Sequence, residues 1–526
     1  MNREKWGGRF GAILAVAGSA IGLGNFIRFP GQAALHGGGA FMIPYIAAFV
    51  LLGLPIAWME WTLGRYAGVR GFNSAPGIFR CVTGKRSMAY AGSLCVTSTM
   101  IITMYYLLIE SWCLAYALRY LFDTMPGEKF KILFTASTGA AGNGDFFAQG
   151  YFNLNLNCLI ACIIINYFLI YQGIVKGIER FCAFAMPALF ICSLIIFVRV
   201  LTLGNPTGIP GQDILHGLGF IWNPSHQGQT MAQSLSNPET WFAAAGQIFF
   251  SMSLGFGVIC TYASYTRRND DICLSSLTAA MMNGFCEAVL AALMIVPAAF
   301  MFLGPAPLTP ENLHNSFAIG FQVLPQVFAL MPAGHFFGFL FFFLLFMAAV
   351  TSSLSTIQPG IALMEEALNA GRKASVAVIG AITSFGAFFA AYFTKDMLAL
   401  DTLDFWVANV LIFIMAGVQV IIFAWVMNVK SSMEELHRGS KIRLPRWFAF
   451  MFKYITPLYL VIIFIAWIDS GFMGRLRDIA DNTVVQLSIG LILSVMVFNF
   501  LITSRANKRW EKMQQMPQDD DYDYVM

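Results

Sequence analysis

The sequence predicts an all-α membrane protein of twelve transmembrane helices, and three observations carry that expectation. Of its 526 residues, 58% are hydrophobic and only 11% are charged, less than half the roughly 25% charged share of a soluble domain. The mean hydropathy is +0.67, and 50 Phe and 27 Met are more apolar surface than so few charges could keep wetted on a globule. The apolar residues also come in long runs, and each membrane crossing needs about 20 of them. These features exclude a soluble enzyme, a disordered chain and a nucleic-acid binder. The net charge of +4 is small, and its charges fall in short clusters rather than on one basic face.

Taken in order, the charged N-terminus MNREKWGGRF runs straight into a Gly-punctuated apolar stretch, without the short apolar core and cleavage site of a signal peptide. Spans are expected at about 10–35, 40–68, 88–122, 154–172, 177–202, 240–264, 273–303, 336–369, 374–394, 399–428, 447–470 and 483–504. The positive-inside rule tests this count. With the N-terminus inside, 24 of the 32 Lys and Arg fall on the inner side, and the outer loops at about 204–239 and 305–335 contain none. A missed or extra span would scramble that alternation. The expectation is a multi-pass protein of the plasma (inner) membrane of a prokaryote, with both termini cytoplasmic. All ten cysteines except Cys81 lie in or beside apolar spans, and no Asn-x-Ser/Thr acceptor with a non-Pro middle residue occurs, so neither a disulfide nor glycosylation is expected. The acidic tail QDDDYDY reads as a solvated terminus.

Two spans carry backbone irregularities that a passive anchor does not need. The first reads GSAIGLGNFIRFP over 18–30, and the sixth reads GQIFFSMSLGFG over 246–257. Glycine clusters at membrane depth favour unwinding, and lipid cannot satisfy the freed N–H and C=O groups. Such backbone is tolerated where it lines a cavity or binds an ion. Gly18 and Gly22 also form a small-xxx-small pair suited to close helix packing. Interrupted helices in corresponding positions of two halves point to a transporter site. Asn25, Ser251, Asn283, Thr351, Ser352 and Ser353 offer neutral oxygens that suit a hard monovalent cation. Glu60, Glu110 and Glu287 lie in apolar runs, where an unpaired carboxylate costs about 2.5–3.5 kcal/mol or more. Glu60 and Glu110 also fit a structural role, tying polar helix surfaces together. The six His are scattered without metal spacing, and no nucleophile elbow or phosphate loop follows a strand. No enzyme, cofactor or catalytic residue is expected.

At this point the residues resemble a family. The run from Trp6 to Tyr66, with GGGAFMIPY and EWTLGRY, is similar to the neurotransmitter:sodium symporters, as are YYLLIESW at 105–112, GQIFFSMSLGFG at 246–257, TYASYTRR at 261–268, LTAAMMN at 277–283 and FFLLFMAAVTSSLSTIQP at 342–359. The similarity is strongest to bacterial amino-acid members, because the second outer loop is short. The resemblance implies a fold of the leucine-transporter type. Two inverted five-helix repeats, at 1–202 and 203–428, would be followed by two appended helices at 429–504 and a cytoplasmic tail at 505–526.

The family's binding positions, carried onto matching residues, imply two sodium ions as co-transported ligands. The first would be held by Ala20, Asn25, Ser251 and Asn283 together with the substrate carboxylate. The second would be held by backbone carbonyls of Gly18, Ile21 and Ala348 and the hydroxyls of Thr351 and Ser352. The substrate's amino and carboxylate ends would meet backbone around Ala20, Gly22, Gly24, Phe250 and Ser253, and the Tyr106 hydroxyl. Its side chain would sit among Ile102, Tyr106, Phe250, Ser253, Phe256, Ser352, Ser355 and Thr356. Arg28 and Asp404 resemble the outer gate pair, and Arg3 and Glu366 the inner one, with Trp6, Ser264, Tyr265 and Gln358 nearby. Glu287 stands where chloride-dependent relatives have Ser, one helical turn after Asn283, which implies a fixed carboxylate in place of chloride.

The expected activity is therefore sodium-coupled, chloride-independent uptake of a neutral, fairly hydrophobic L-amino acid by alternating access. The implied partners are that amino acid, Na+ and the lipid bilayer, with no nucleic acid; a homo-oligomer is left open. An amino-acid-binding receptor or channel on the same scaffold would carry the same binding residues.

Overall fold

The computed structural model describes residues 5–125, 134, 139, 141–148, 153–223, 230–308, 317–468 and 473–515. Among these residues the chain is helical, and ten helices are continuous, long and apolar enough to cross a membrane. They are α2 (Gly38–Val69), α3 (Arg86–Leu121), α4 (Leu154–Tyr171), α5 (Ile174–Leu201), α7 (Ile272–Leu303), α8 (Gly334–Leu368), α9 (Arg372–Tyr392), α10 (Lys395–Val426), α11 (Trp447–Ala466) and α12 (Thr483–Lys512). The remaining two spans are broken. In the first, α1a (Arg9–Ala20) meets α1b (Gly24–Leu35) at a bend of 43°. In the sixth, α6a (Pro238–Ser251) and α6b (Val258–Ala263) are separated by an unwound stretch. Among the described residues, ten continuous helices and two broken ones thus fall where the twelve spans are expected.

Local sequence explains why α6 stops where it does. Ser253, Gly255 and Gly257 take φ values of +54°, +80° and +74°, a region that glycine enters without strain and other residues avoid. The α6a start is well specified: Asn237 accepts from the Glu239 N–H at 2.9 Å, and Pro238 opens the helix.

Burial sorts the helices into an inner and an outer set. In its most apolar window α3 is 94% buried and α8 is 83% buried, whereas α11 and α12 are each 28% buried. The α3–α8 pair is the packed spine of the bundle, and α11 and α12 lie on its periphery with their apolar faces turned outward. Close approach of α2 to α6b depends on small residues. A Cβ at Gly64 would lie 2.3 Å from the Cys260 carbonyl oxygen and 2.8 Å from the Ala263 Cβ. Gly64→Ala is therefore expected to destabilise the protein by about 1–3 kcal/mol through overpacking against backbone that cannot yield. A thermal midpoint in detergent equal to that of the wild type would contradict this.

Candidate functional site

The two breaks face each other at the middle of the bundle, and each frees backbone groups from its helical ladder. In α1a the last ladder bond runs from the Ile21 N–H to the Ala17 carbonyl at 2.7 Å. The next N–H, of Gly22, donates to Asn25 Oδ1 at 2.9 Å, and that of Leu23 donates to the Tyr106 hydroxyl at 3.2 Å. The Gly18 and Ser19 carbonyls consequently lose their usual i+4 donors. Ser352 Oγ lies 3.4 Å from each of them, and Ser253 Oγ donates to the Ser19 carbonyl at 3.1 Å.

Oxygens proposed for the first ion meet in one hydrogen-bonded cluster. Asn25 Nδ2 donates to Asn283 Oδ1 at 2.8 Å, and Asn283 Nδ2 donates to Ser251 Oγ at 3.2 Å. Those proposed for the second ion lie between α1a and α8. Thr351 Oγ1 donates to the Ala348 carbonyl at 2.9 Å, and a Cβ at Gly18 would stand 3.3 Å from the Thr351 Cβ. A side chain at Gly18 would therefore require its neighbours, Thr351, Cys182 and Met186, to give by a few tenths of an ångström. Ile21 is extended, at φ −82° and ψ 91°, just beyond the end of α1a.

A cavity with about 360 Å³ of empty space lies beside these clusters. It is lined by Ser19, Ala20, Gly22, Gly24, Ile102, Tyr106, Phe250, Ser251, Ser253, Phe256, Ser352 and Thr356. Ten of these twelve are sequence-derived substrate positions. Ser355 is not in the lining; its hydroxyl donates to the Ser352 carbonyl at 2.7 Å and accepts from Ser19 Oγ at 2.7 Å. Ser19 is a lining residue that the sequence reading passed over. Its neighbour Gly18 was the available signal, but a lone serine in a span usually bonds back to its own helix. Gly22 is a close approach: a Cβ there would lie 2.5 Å from Ser352 Oγ and 2.9 Å from the Tyr106 hydroxyl.

Around the cavity, the three intramembrane carboxylates each bind a different part of the frame. Glu287 Oε2 accepts from the Tyr45 hydroxyl at 2.5 Å, and Glu287 Oε1 accepts from Gln247 Nε2. Gln247 Nε2 also donates to the Gly24 carbonyl at 3.0 Å, so Glu287 is tied to the α1 break. The contact expected from helical spacing is present, with Asn283 Nδ2 at 3.5 Å from Glu287 Oε2. Glu60 Oε1 accepts from the Gly255 N–H at 2.7 Å and so holds the unwound part of α6. Glu110 joins three helices, accepting from Ser353 Oγ at 2.5 Å and Asn166 Nδ2 at 2.8 Å.

The residues expected at the gates take the following partners in this structure. Arg28 and Asp404 are not each other's hydrogen-bond partners. Arg28 donates to the Gly246 carbonyl at 3.1 Å and sits 4.7 Å from the Phe250 ring centroid, which holds its guanidinium over the cavity. Asp404 instead accepts from the Tyr105 hydroxyl at 2.7 Å. On the opposite side, Arg3 lies outside the described residues. Glu366 accepts from the Asn73 and Ser74 N–H groups at 2.6 and 2.7 Å. Trp6 Nε1 donates to the Tyr262 carbonyl at 2.9 Å, and Gln358 Nε2 donates to the Tyr265 hydroxyl at 3.0 Å. Ser264 Oγ bonds the Thr261 carbonyl of its own helix at 2.6 Å.

Comparison with known proteins decides the family. The pattern of the Sodium:neurotransmitter symporter family matches residues 3–139 and 146–506. The chain belongs to this family. Among its symporter relatives, an uncharacterized sodium-dependent transporter of Methanocaldococcus jannaschii is 28% identical over 466 residues, covering 88% of this chain and 90% of the relative. A sodium-dependent neutral amino acid transporter of mouse, B(0)AT1, is 25% identical over 302 residues, covering 54% of this chain and 44% of the relative. The crystal structure of MhsT in complex with L-phenylalanine superimposes with a TM-score of 0.75 at 26% identity, covering 88% of this chain and 100% of that one. The two share a fold, and the chain is a multi-pass membrane protein of a sodium-dependent transporter family.

Proposed function

We propose that this symporter couples uptake of neutral, fairly hydrophobic L-amino acids to sodium, by alternating access and without a chloride requirement. The observation that carries this reading is the cavity between the two breaks. Main-chain N–H and C=O groups released from their helical ladders lie beside it, within reach of a zwitterion, and none of the side chains lining it is charged. The phenylalanine bound to MhsT and the neutral amino acids named for the mouse relative support the substrate class.

Two sodium ions would occupy the Asn25–Ser251–Asn283 and Gly18–Ala348–Thr351 clusters, with the carbonyls of Ala20 and Ile21 and the hydroxyl of Ser352. Entering down a tenfold gradient and a 100 mV potential, they release about 2 × (1.4 + 2.3) ≈ 7 kcal/mol. That concentrates a neutral substrate roughly 10⁵-fold. The repeats 1–202 and 203–428 would rock about the cavity. Arg28 with Asp404 would close the outer side, and Arg3 with Glu366, Trp6, Tyr265 and Gln358 the inner side. The charge bias of the loops supports cytoplasmic termini, and the archaeal and bacterial relatives support the plasma (inner) membrane of a prokaryote.

Counterflow in proteoliposomes over the twenty amino acids, with and without sodium, tests the proposal. Only a carrier exchanges labelled for unlabelled substrate, so binding without exchange would make the protein a receptor or channel.

The close approach at Gly22 yields a second expectation. Monoamine-transporting relatives place an Asp at the matching position, to pair with the amine. Here the position is Gly22, and a side chain there would crowd Ser352 and Tyr106. The substrate must therefore bring its own carboxylate to the first sodium cluster. Leucine, methionine and aromatic amino acids are expected to compete for sodium-dependent uptake, and dopamine and serotonin to have no effect. The reverse pattern would defeat the amino-acid reading.

A further inference from the structure

One end of the cavity is walled by hydroxyls whose hydrogens are directed away from it. Thr356 lies one turn beyond Ser352 in α8, and Ile102 lies one turn before Tyr106 in α3. Both therefore lie away from the Gly22–Gly24 backbone that the ammonium and carboxylate would use, and this end is left for the substrate side chain. Ser253 Oγ donates to the Ser19 carbonyl at 3.1 Å, and Thr356 Oγ1 donates to the Ser353 carbonyl at 3.0 Å. Behind them, Ser19 Oγ is 2.7 Å from Ser355 Oγ, and Ser355 Oγ donates onward to the Ser352 carbonyl at 2.7 Å. Thr103 Oγ1 approaches Thr356 Oγ1 at 2.9 Å.

A hydroxyl has one hydrogen and two lone pairs. With its hydrogen committed to a main-chain carbonyl, each of Ser253 and Thr356 retains an acceptor lone pair at the cavity wall. Thr356 keeps one even if Thr103 occupies the other, and Ser253 keeps one even if the Ser19 hydroxyl, 3.3 Å away, occupies the other. The remaining lining residues here are Ile102 and Phe256, which are apolar, and Ser19, whose hydroxyl is engaged by Ser355 at 2.7 Å and lies 3.3 Å from Ser253 Oγ. An apolar side chain placed here displaces water from two acceptors and returns nothing to them, which is a cost that isosteric substrates reveal.

We infer that Ser253 and Thr356 are specificity-determining residues that favour amino acids whose side chain carries an O–H or N–H donor over their apolar isosteres. This rests on the amino-acid reading above and narrows it.

The test is sodium-driven uptake of labelled L-tyrosine, L-phenylalanine, L-threonine and L-valine into proteoliposomes holding the full chain. It is run for the wild type, Thr356→Val, and Thr356→Val combined with Ser253→Ala. In the wild type the donor-bearing member of each transported pair is expected to be favoured by about tenfold in kcat/KM. The ratio should fall toward one in the two variants, through loss of the favoured substrate rather than of the apolar one, which separates loss of the acceptors from general damage. A wild-type ratio of one or less would overturn the inference while leaving amino-acid transport standing, and so would a preference unchanged in both variants. Uptake of none of the four would defeat the proposed function and this inference with it.

Discussion

Asn25→Ala is expected to abolish sodium-driven uptake, with a loss of at least about 100-fold, or about 3 kcal/mol. Asn25 is fully buried, and its amide does two jobs at once. Its oxygen takes the Gly22 N–H that α1a would otherwise use to continue its ladder, and its nitrogen holds Asn283. Removing it takes an oxygen from the first sodium cluster and leaves a buried N–H unpaired at the break, each a cost of about 1–3 kcal/mol. Thr351→Ala should have a similar effect through the second cluster, where its Cβ packs against Gly18 and its hydroxyl lies beside the Ala348 carbonyl. Thr351→Ser, which keeps the hydroxyl, should keep most of the activity and so guards against reading a folding defect as a loss of binding. The measurement is initial uptake in sodium, choline and potassium buffers, with monodispersity checked in detergent. Wild-type uptake that persists unchanged in choline or potassium would sink both sodium assignments.

The second large effect is a gain of chloride dependence in Glu287→Ser. Glu287 is fully buried and accepts from Tyr45 and Gln247, with Asn283 beside it, so its oxygens face donors only. Through Gln247 it touches the Gly24 carbonyl, and through Asn283 it touches the first sodium cluster. A sodium ion in a low-dielectric setting needs a nearby negative charge, and a carboxylate fixed there supplies it without a mobile anion. With gluconate replacing chloride, the wild type should be indifferent. The serine variant should lose about tenfold or more and recover when chloride is restored. A wild type that stops without chloride would defeat the idea. A protonated Glu287 serving as a structural hydrogen-bond donor would instead leave the variant unresponsive to chloride. Proton antiport is a linked expectation, because a carboxylate that balances sodium can take up a proton once sodium leaves. Acidification of the external medium driven by sodium-coupled substrate uptake should then increase as internal pH falls in the wild type and not in Glu287→Ser.

What the sequence determined by itself was class, helix count and the location of both breaks, while the residues expected at the cavity wall came through the resemblance to the family. The reason is that the bilayer acts locally along the chain. It demands about 20 apolar residues per crossing and internal satisfaction of every backbone group, so a Gly-rich interruption such as 18–24 or 251–257 is visible without any partner. The tertiary structure alone decided which donor meets which acceptor. That Asp404 accepts from Tyr105 while Arg28 lies over Phe250, that Glu60 holds the Gly255 N–H, and that Ser19 turns toward Ser253 and Ser355 rather than along its own helix are all contacts between residues tens to hundreds of positions apart. Hydropathy and spacing carry no record of such pairings. A side-chain oxygen in a span reads the same whether it bonds its own helix or a neighbour's, and only the packing of α1, α3, α6 and α8 around one cavity separates the two.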